Sequence, residues 1–200
     1  TRYNLSEEYN GSSWSEGNNL NTTRNSVAGC GTQTAGLGFG GYGGPVLTAT
    51  EEYDGSSWTN GGNLNTAGYD MGSAGTQTAG LGFGGYNTHT SLTEEYNGSS
   101  WTAGGNLGTG RNTLAGAGTQ TAGLAFGGRP GTSALTEEYN GTSWTAGGAL
   151  NTARSGLAGS GIQTSALAFG GGPPSLAKIA TELYDGSSWE TSSPLASNHE

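Results

Sequence analysis

Cations are scarce in this chain. Six Lys and Arg stand against fifteen Asp and Glu, for a formal charge of −9. Proteins that grip nucleic acid neutralise phosphate with basic patches, so this balance excludes that class of partner, and an anionic membrane surface with it. The acidity serves solubility. Cysteine is represented by Cys30 alone, which permits no internal disulfide and leaves the redox compartment unread. No apolar run approaches the ~20 residues of a membrane-spanning helix. The two histidines, His89 and His199, form no Cys/His cluster of zinc-binding spacing, so no metal site is expected. Ser is plentiful, yet no Gly-x-Ser-x-Gly stretch stands in a strand-to-helix setting with acid and His partners. The chain begins with Thr, and no signal-like segment follows, as in a chain processed or excerpted from a longer one.

Glycine, by contrast, fills 41 of the 200 positions, about three times its usual share of ~7%. With only 31% apolar residues, that composition alone would favour disorder. The aromatic residues oppose it, because they keep time. Trp recurs at 14, 58, 101, 144 and 189, in steps of 44, 43, 43 and 45. Tyr9, Tyr53, Tyr96, Tyr139 and Tyr184 keep the same steps, and the four Phe, at 39, 83, 126 and 169, follow at 44, 43 and 43. Glycine interrupts every candidate helix within a few residues, at ~1 kcal/mol per interior position. The repeating unit is therefore made of strands.

Residues 111–146 show how the unit divides. "RNTLAGAG" (111–118) reads as a small-residue strand, "TQTAG" as a turn, and "LAFGG" (124–128) as a second strand. A variable loop leads to a third strand, "LTEEY" (135–139), and Asn-Gly then predicts a tight type I′ hairpin into "TSWTA". Tyr on one side and Trp on the other are the buried anchors. Four strands per ~43 residues, repeated, is the signature of a propeller blade. Ala and Gly in the first strand suit the crowded axis, and Trp on the outer strand fills the widening gap between blades.

Residues 153–190, "ARSGLAGSGIQTSALAFGGGPPSLAKIATELYDGSSWE", resemble a kelch repeat: an Arg before the inner strand, an apolar strand ending in Gly-Gly, and a Tyr five residues before a Trp. The likeness covers essentially the whole chain. It implies an all-β, kelch-type β-propeller with four-stranded antiparallel blades: four full blades plus an N-terminal half blade. Residues 1–200 then form one domain, with units at 1–16 (partial), 24–59, 67–102, 110–145 and 153–190. Two departures stand out. The Arg position, filled at 24, 111 and 154, is Gly68 in the second full unit, and the Glu pair before Tyr ends as Leu183 in the last. "YNGSSW" also resembles the Asp-box of sialidases, with Tyr where that motif places Asp, and the Asp-box is itself structural. Kelch-like copper oxidases need an axial Tyr, His and Cys set that this chain cannot assemble.

The acidic pairs Glu7–Glu8, Glu51–Glu52, Glu94–Glu95 and Glu137–Glu138 cannot each flank one bond, since neighbouring strand residues point to opposite faces. They are expected to be structural, a Glu in each unit meeting the Arg at 24, 111 or 154, or backbone amides. No catalytic residue and no cofactor are assigned. What varies between units is the loop after Gly-Gly, which shares a face with the links between blades. Tyr42, Tyr69, Tyr86, His89, Arg111, Arg129, Arg154 and Lys178 are the candidate ligand-binding residues there. The expected function is a non-enzymatic binding scaffold for a glycan or protein, of the kind found in phage tails, virions or cell-surface adhesins, hence extracellular or virion-associated. Other chains are possible partners in completing the ring. A structural spacer and a carbohydrate-active enzyme are the alternatives.

Overall fold

The computed structural model describes residues 2–86, 90–173 and 178–196. It is all-β: four sheets of four antiparallel strands in a propeller arrangement, preceded by a two-stranded half blade. The half blade is β1 (Glu7–Tyr9) and β2 (Trp14–Glu16). Blade one holds β3 (Ala28–Thr32), β4 (Ala35–Phe39), β5 (Thr50–Tyr53) and β6 (Trp58–Asn60). Blade two holds β7 (Gly72–Thr76), β8 (Ala79–Phe83), β9 (Thr93–Tyr96) and β10 (Trp101–Ala103). Blade three holds β11 (Ala115–Thr119), β12 (Ala122–Phe126), β13 (Thr136–Tyr139) and β14 (Trp144–Ala146). Blade four holds β15 (Ala158–Ile162), β16 (Ser165–Phe169), β17 (Thr181–Tyr184) and β18 (Trp189–Thr191). No helix among the described residues is long and apolar enough to cross a membrane.

Within a blade the strands follow chain order, so each is a simple meander. The first strands, β3, β7, β11 and β15, lie side by side and line an axial cavity of about 350 Å³. Space there is short. A Cβ on Gly116 would lie 2.3 Å from the Ser73 carbonyl oxygen, which explains the Ala/Gly composition of these strands.

The hydrophobic core lies between blades, in three clusters, each drawn from two neighbours. Tyr and Trp face each other across the outer hairpin, as in the Tyr96–Trp101 pair with ring centroids 5.0 Å apart. In the full blades both reach back to the blade before, whereas Tyr9 and Trp14 of the half blade, expected as buried anchors, are exposed because no blade precedes them among the described residues. Trp101 meets Phe39 at 4.7 Å, Trp144 meets Phe83 at 4.9 Å and Trp189 meets Phe126 at 4.9 Å. Each of these three indole N–H groups donates to a threonine, Trp101 to Thr50 at 3.0 Å, Trp144 to Thr93 and Trp189 to Thr136 at 2.9 Å, and Trp58 donates to Ser6 Oγ at 3.4 Å. Each Tyr hydroxyl donates to the second Glu of the preceding blade, at 2.5 Å for Tyr96 to Glu52, Tyr139 to Glu95 and Tyr184 to Glu138. The tight-turn glutamines seal the inner edge. Gln120 Nε2 donates to the carbonyls of Gly80 and Tyr96, 3.0 and 2.7 Å away, and Gln77 and Gln163 do the same one blade to either side.

The other Glu of each pair meets the Arg. Arg24–Glu51 and Arg111–Glu137 are 2.9 Å ion pairs, and Arg154–Glu182 is 3.1 Å. In blade two, where Gly68 replaces the Arg, Glu94 is left with the backbone N–H groups of Asn65 and Thr66, the same link contact that Glu51 and Glu182 keep beside their Arg, and with the Asn65 amide. The Met71 side chain lies against Gly68 in the vacated space.

One local expectation fails. The outer turn is a four-residue loop, Asp54 to Ser57 in blade one, not a two-residue type I′ turn. Only its Gly55 has positive φ, +90°, whereas type I′ needs two such residues. Asp54 Oδ1 accepts the backbone N–H groups of Ser56 and Ser57, at 2.8 and 2.7 Å, and holds the loop as an Asx turn.

Candidate functional site

The variable loops rise from a fixed base. Arg24 Nη1 donates to the carbonyls of Gly40 and Ala49, at 3.0 and 2.9 Å, which are the two ends of the first loop. Arg111 spans Gly127 and Leu135 at 2.7 and 2.9 Å, and Arg154 spans Gly170 and Ala180 at 3.4 and 2.9 Å. The guanidinium thus closes each loop at its foot while its neighbouring nitrogen holds the Glu. Desolvation lowers the pKa of all three arginines, and the facing carboxylates partly offset this.

Two candidates are corrected by this geometry. Arg111 and Arg154 are fully buried, at 0% exposure, with their Nη groups bonded to Glu137, Glu182 and loop carbonyls. They position the loops and do not reach a ligand. His89 lies outside the described residues. Lys178 is exposed.

The links between blades pair with the loops beside them: Asn25 with Tyr42, Tyr69 with Tyr86, Asn112 with Arg129, and Ser155 with Gly172. This register brings three of the predicted tyrosines into one ladder. Tyr42 and Tyr69 have ring centroids 5.7 Å apart, and Tyr69 and Tyr86 are 5.1 Å apart. Arg2 caps the row, its guanidinium carbon 5.0 Å from the Tyr42 centroid. The hydroxyl of Tyr69, at the middle, is held above its usual pKa by desolvation first, then by Tyr86, Asp70 and Tyr42. Past the ladder the face turns polar: Arg129 is exposed and its Nε donates to Ser155 Oγ at 3.2 Å.

Next to the ladder, the links carry Ser26, Asp70 and Thr113 at φ of +52°, +54° and +49°, with Gly156 at +63°. Non-glycine residues adopt this left-handed backbone at a strain of order 1 kcal/mol or more. Here it lets each link bond to the one before: Asp70 N–H to Ser26 O, Thr113 N–H to Asp70 O and Gly156 N–H to Thr113 O, at 3.2, 2.9 and 2.8 Å. A run of backbone hydrogen bonds therefore crosses the four blades at the foot of the loop face.

Sequence reasoning missed Arg2, which no repeat spacing marks, and the left-handed link residues. The second had a signal, since Gly156 in the fourth unit aligns with Ser26, Asp70 and Thr113. Among the described residues no group of three or more His, Cys, Asp and Glu is placed to hold a metal ion. Cys30 borders the axial cavity, and burial pushes its thiol pKa up to about 12.

Compared with known proteins, the chain matches no family model, and the search of curated proteins gives no match.

Proposed function

We propose that this protein is a non-enzymatic, kelch-type binding module whose variable-loop face recognises glycans. The observation that carries the reading is the Tyr42–Tyr69–Tyr86 ladder with Arg2 at its head. Aromatic rings offer flat apolar surface with a polar tip, at small entropy cost, which suits stacking against the C–H face of a sugar. The buried Arg–Glu pairs below fix the loop feet, so the ledge is preorganised. The near-identical tandem units, with few lysines, favour a surface-borne or virion-borne adhesin.

The test is a glycan array with the chain and with Tyr42→Ala combined with Tyr86→Ala. Both side chains are at least partly exposed, so the variant folds, and specific glycan signals are expected to vanish. A chain that binds no glycan on the array is instead a structural spacer. Detectable hydrolysis or oxidation of a sugar by the chain would make it an enzyme and overturn the reading.

A further inference from the structure

The half blade repeats the outer half of a blade, and its neighbours are built to receive the inner half. In all four full blades the third strand pairs on both sides, with the second strand on its inner edge, as in blade three: Gly123 opposite Tyr139, Leu124 opposite Glu138, Ala125 opposite Glu137 and Phe126 opposite Thr136. Among the described residues the equivalent strand β1 pairs only with β2, and nothing described pairs with its inner edge. Such an edge is a template for another strand.

Three further features lie along this edge. Gln77, Gln120 and Gln163 each cap a Gly and a Tyr carbonyl in the blade before them, but the equivalent Gln33 is exposed and makes no side-chain hydrogen bond among the described residues. Its Tyr carbonyl would be that of Tyr9, and its Gly carbonyl belongs to a strand the half blade lacks. Glu7 is exposed and makes no ion pair among the described residues, whereas its counterparts Glu51, Glu137 and Glu182 are buried against an Arg carried by the inner half of the same blade. Finally, a cavity of about 170 Å³ lies between half blade and blade one, lined by Ser6, Glu8, Gln33, Gly36, Tyr53 and Trp58.

We propose that the inner edge of β1 is a strand-addition site for a β-hairpin with the chemistry of this repeat's own inner pair. That chemistry is an Arg, a small-residue strand, a Gln-Thr turn and an Ala-Gly-Leu-Ala-Phe strand. The second strand runs antiparallel to β1, with its Gly opposite Tyr9, its Leu opposite Glu8 and its Phe opposite Ser6. Its Gly carbonyl fills the vacant acceptor place at Gln33, and its Arg meets Glu7. Main-chain bonds supply affinity and the Arg–Glu pair supplies register, the usual division in strand addition. Charge selects the partner, because the edge offers Glu7, and β1 and β2 carry no cation.

A synthetic peptide copying residues 109–128 tests this, titrated into the full chain while the Trp58 indole N–H resonance is followed. Saturable binding is expected, with added strand signal in the far ultraviolet. Arg111→Ala in the peptide, or Glu7→Gln in the chain, weakens it about tenfold, and the two together weaken it no further. Gln33→Ala weakens it independently. Glu7 and Gln33 are exposed, so neither variant threatens the fold. A scrambled peptide that binds equally, or no saturable shift at the solubility limit, would overturn the proposal. So would concentration-dependent self-association of the free chain that perturbs β1, since a second copy would then be the occupant.

Discussion

Thr50, Thr93 and Thr136 perform the same task in three blades, each hydroxyl receiving the indole N–H of the next blade's Trp. Thr181 holds the same place in blade four, but its buried Oγ1 has no hydrogen-bond partner among the described residues. The two environments separate the value of the bond from the value of the methyl group. Thr136→Val leaves the Trp189 N–H buried and unpaired, so it should cost about 1–3 kcal/mol in urea unfolding. Thr181→Val should be neutral or stabilising, because no bond is lost. A second contrast comes from the Arg sites. Removing one member of a buried ion pair costs about 3–5 kcal/mol, and Arg111→Gly is expected in that range. Blade two already has the compensated form, with Gly68 and Met71. Adding Leu114→Met, at the position matching Met71, should therefore recover part of the loss, read as a non-additive double-mutant cycle.

At the level of elements, the outer hairpin turn shows how far local pattern carries. Asx-Gly between Tyr and Trp marked a hairpin in every unit, and a hairpin stands there. The turn type was not legible, because the Asx side chain, not a second positive φ, closes the loop by accepting two serine N–H groups. That choice has a pH consequence. These bonds pull the carboxyls of Asp54 and Asp185 down to about 2 from the usual 3.8: serine backbone N–H first, then a serine hydroxyl. A depressed carboxyl stabilises the fold fully above its unfolded value and loses that contribution as pH falls through the folded one. Stability should thus decline between about pH 4 and 2 at these two turns, and not at Asn10, Asn97 or Asn140, which do not titrate. Asp54→Asn with Asp185→Asn should flatten that part of an acid titration followed by circular dichroism. The loop face was partly legible as well. Variation between units pointed to Tyr42, Tyr69 and Tyr86, but their stacking depends on which link pairs with which loop, a register that spacing does not encode.

Over the whole molecule, stability is a sum of blade-to-blade interfaces, as in other repeat proteins. The Tyr–Glu bonds give these interfaces a common weakness. Desolvation first, then the bond to Glu52, Glu95 or Glu138, raises the hydroxyls of Tyr96, Tyr139 and Tyr184 to about 12 from an ordinary 10. A raised folded pKa adds stability that is complete below the unfolded value and vanishes as pH rises through the folded one. Cooperative alkaline unfolding is therefore expected between about pH 10 and 12. A triple Tyr→Phe variant would be less stable at pH 7, yet it should lose little further stability across that window.

The number of strands, their small-to-large taper and the pairing of Arg with Glu were all readable from a 43-to-45-residue beat, because each unit must solve one packing problem and leaves the same residues as the answer. Which Glu takes the Arg and which takes the next blade's Tyr depends on which sheet face looks inward, and period alone leaves that open. Arg111 and Arg154 were placed on the binding face for this reason. On the chain they flank variable loops, but in space their guanidinium groups turn inward to hold those loops shut. Burial is a property of neighbours brought from 16 to 27 residues away, and no local string of letters contains them.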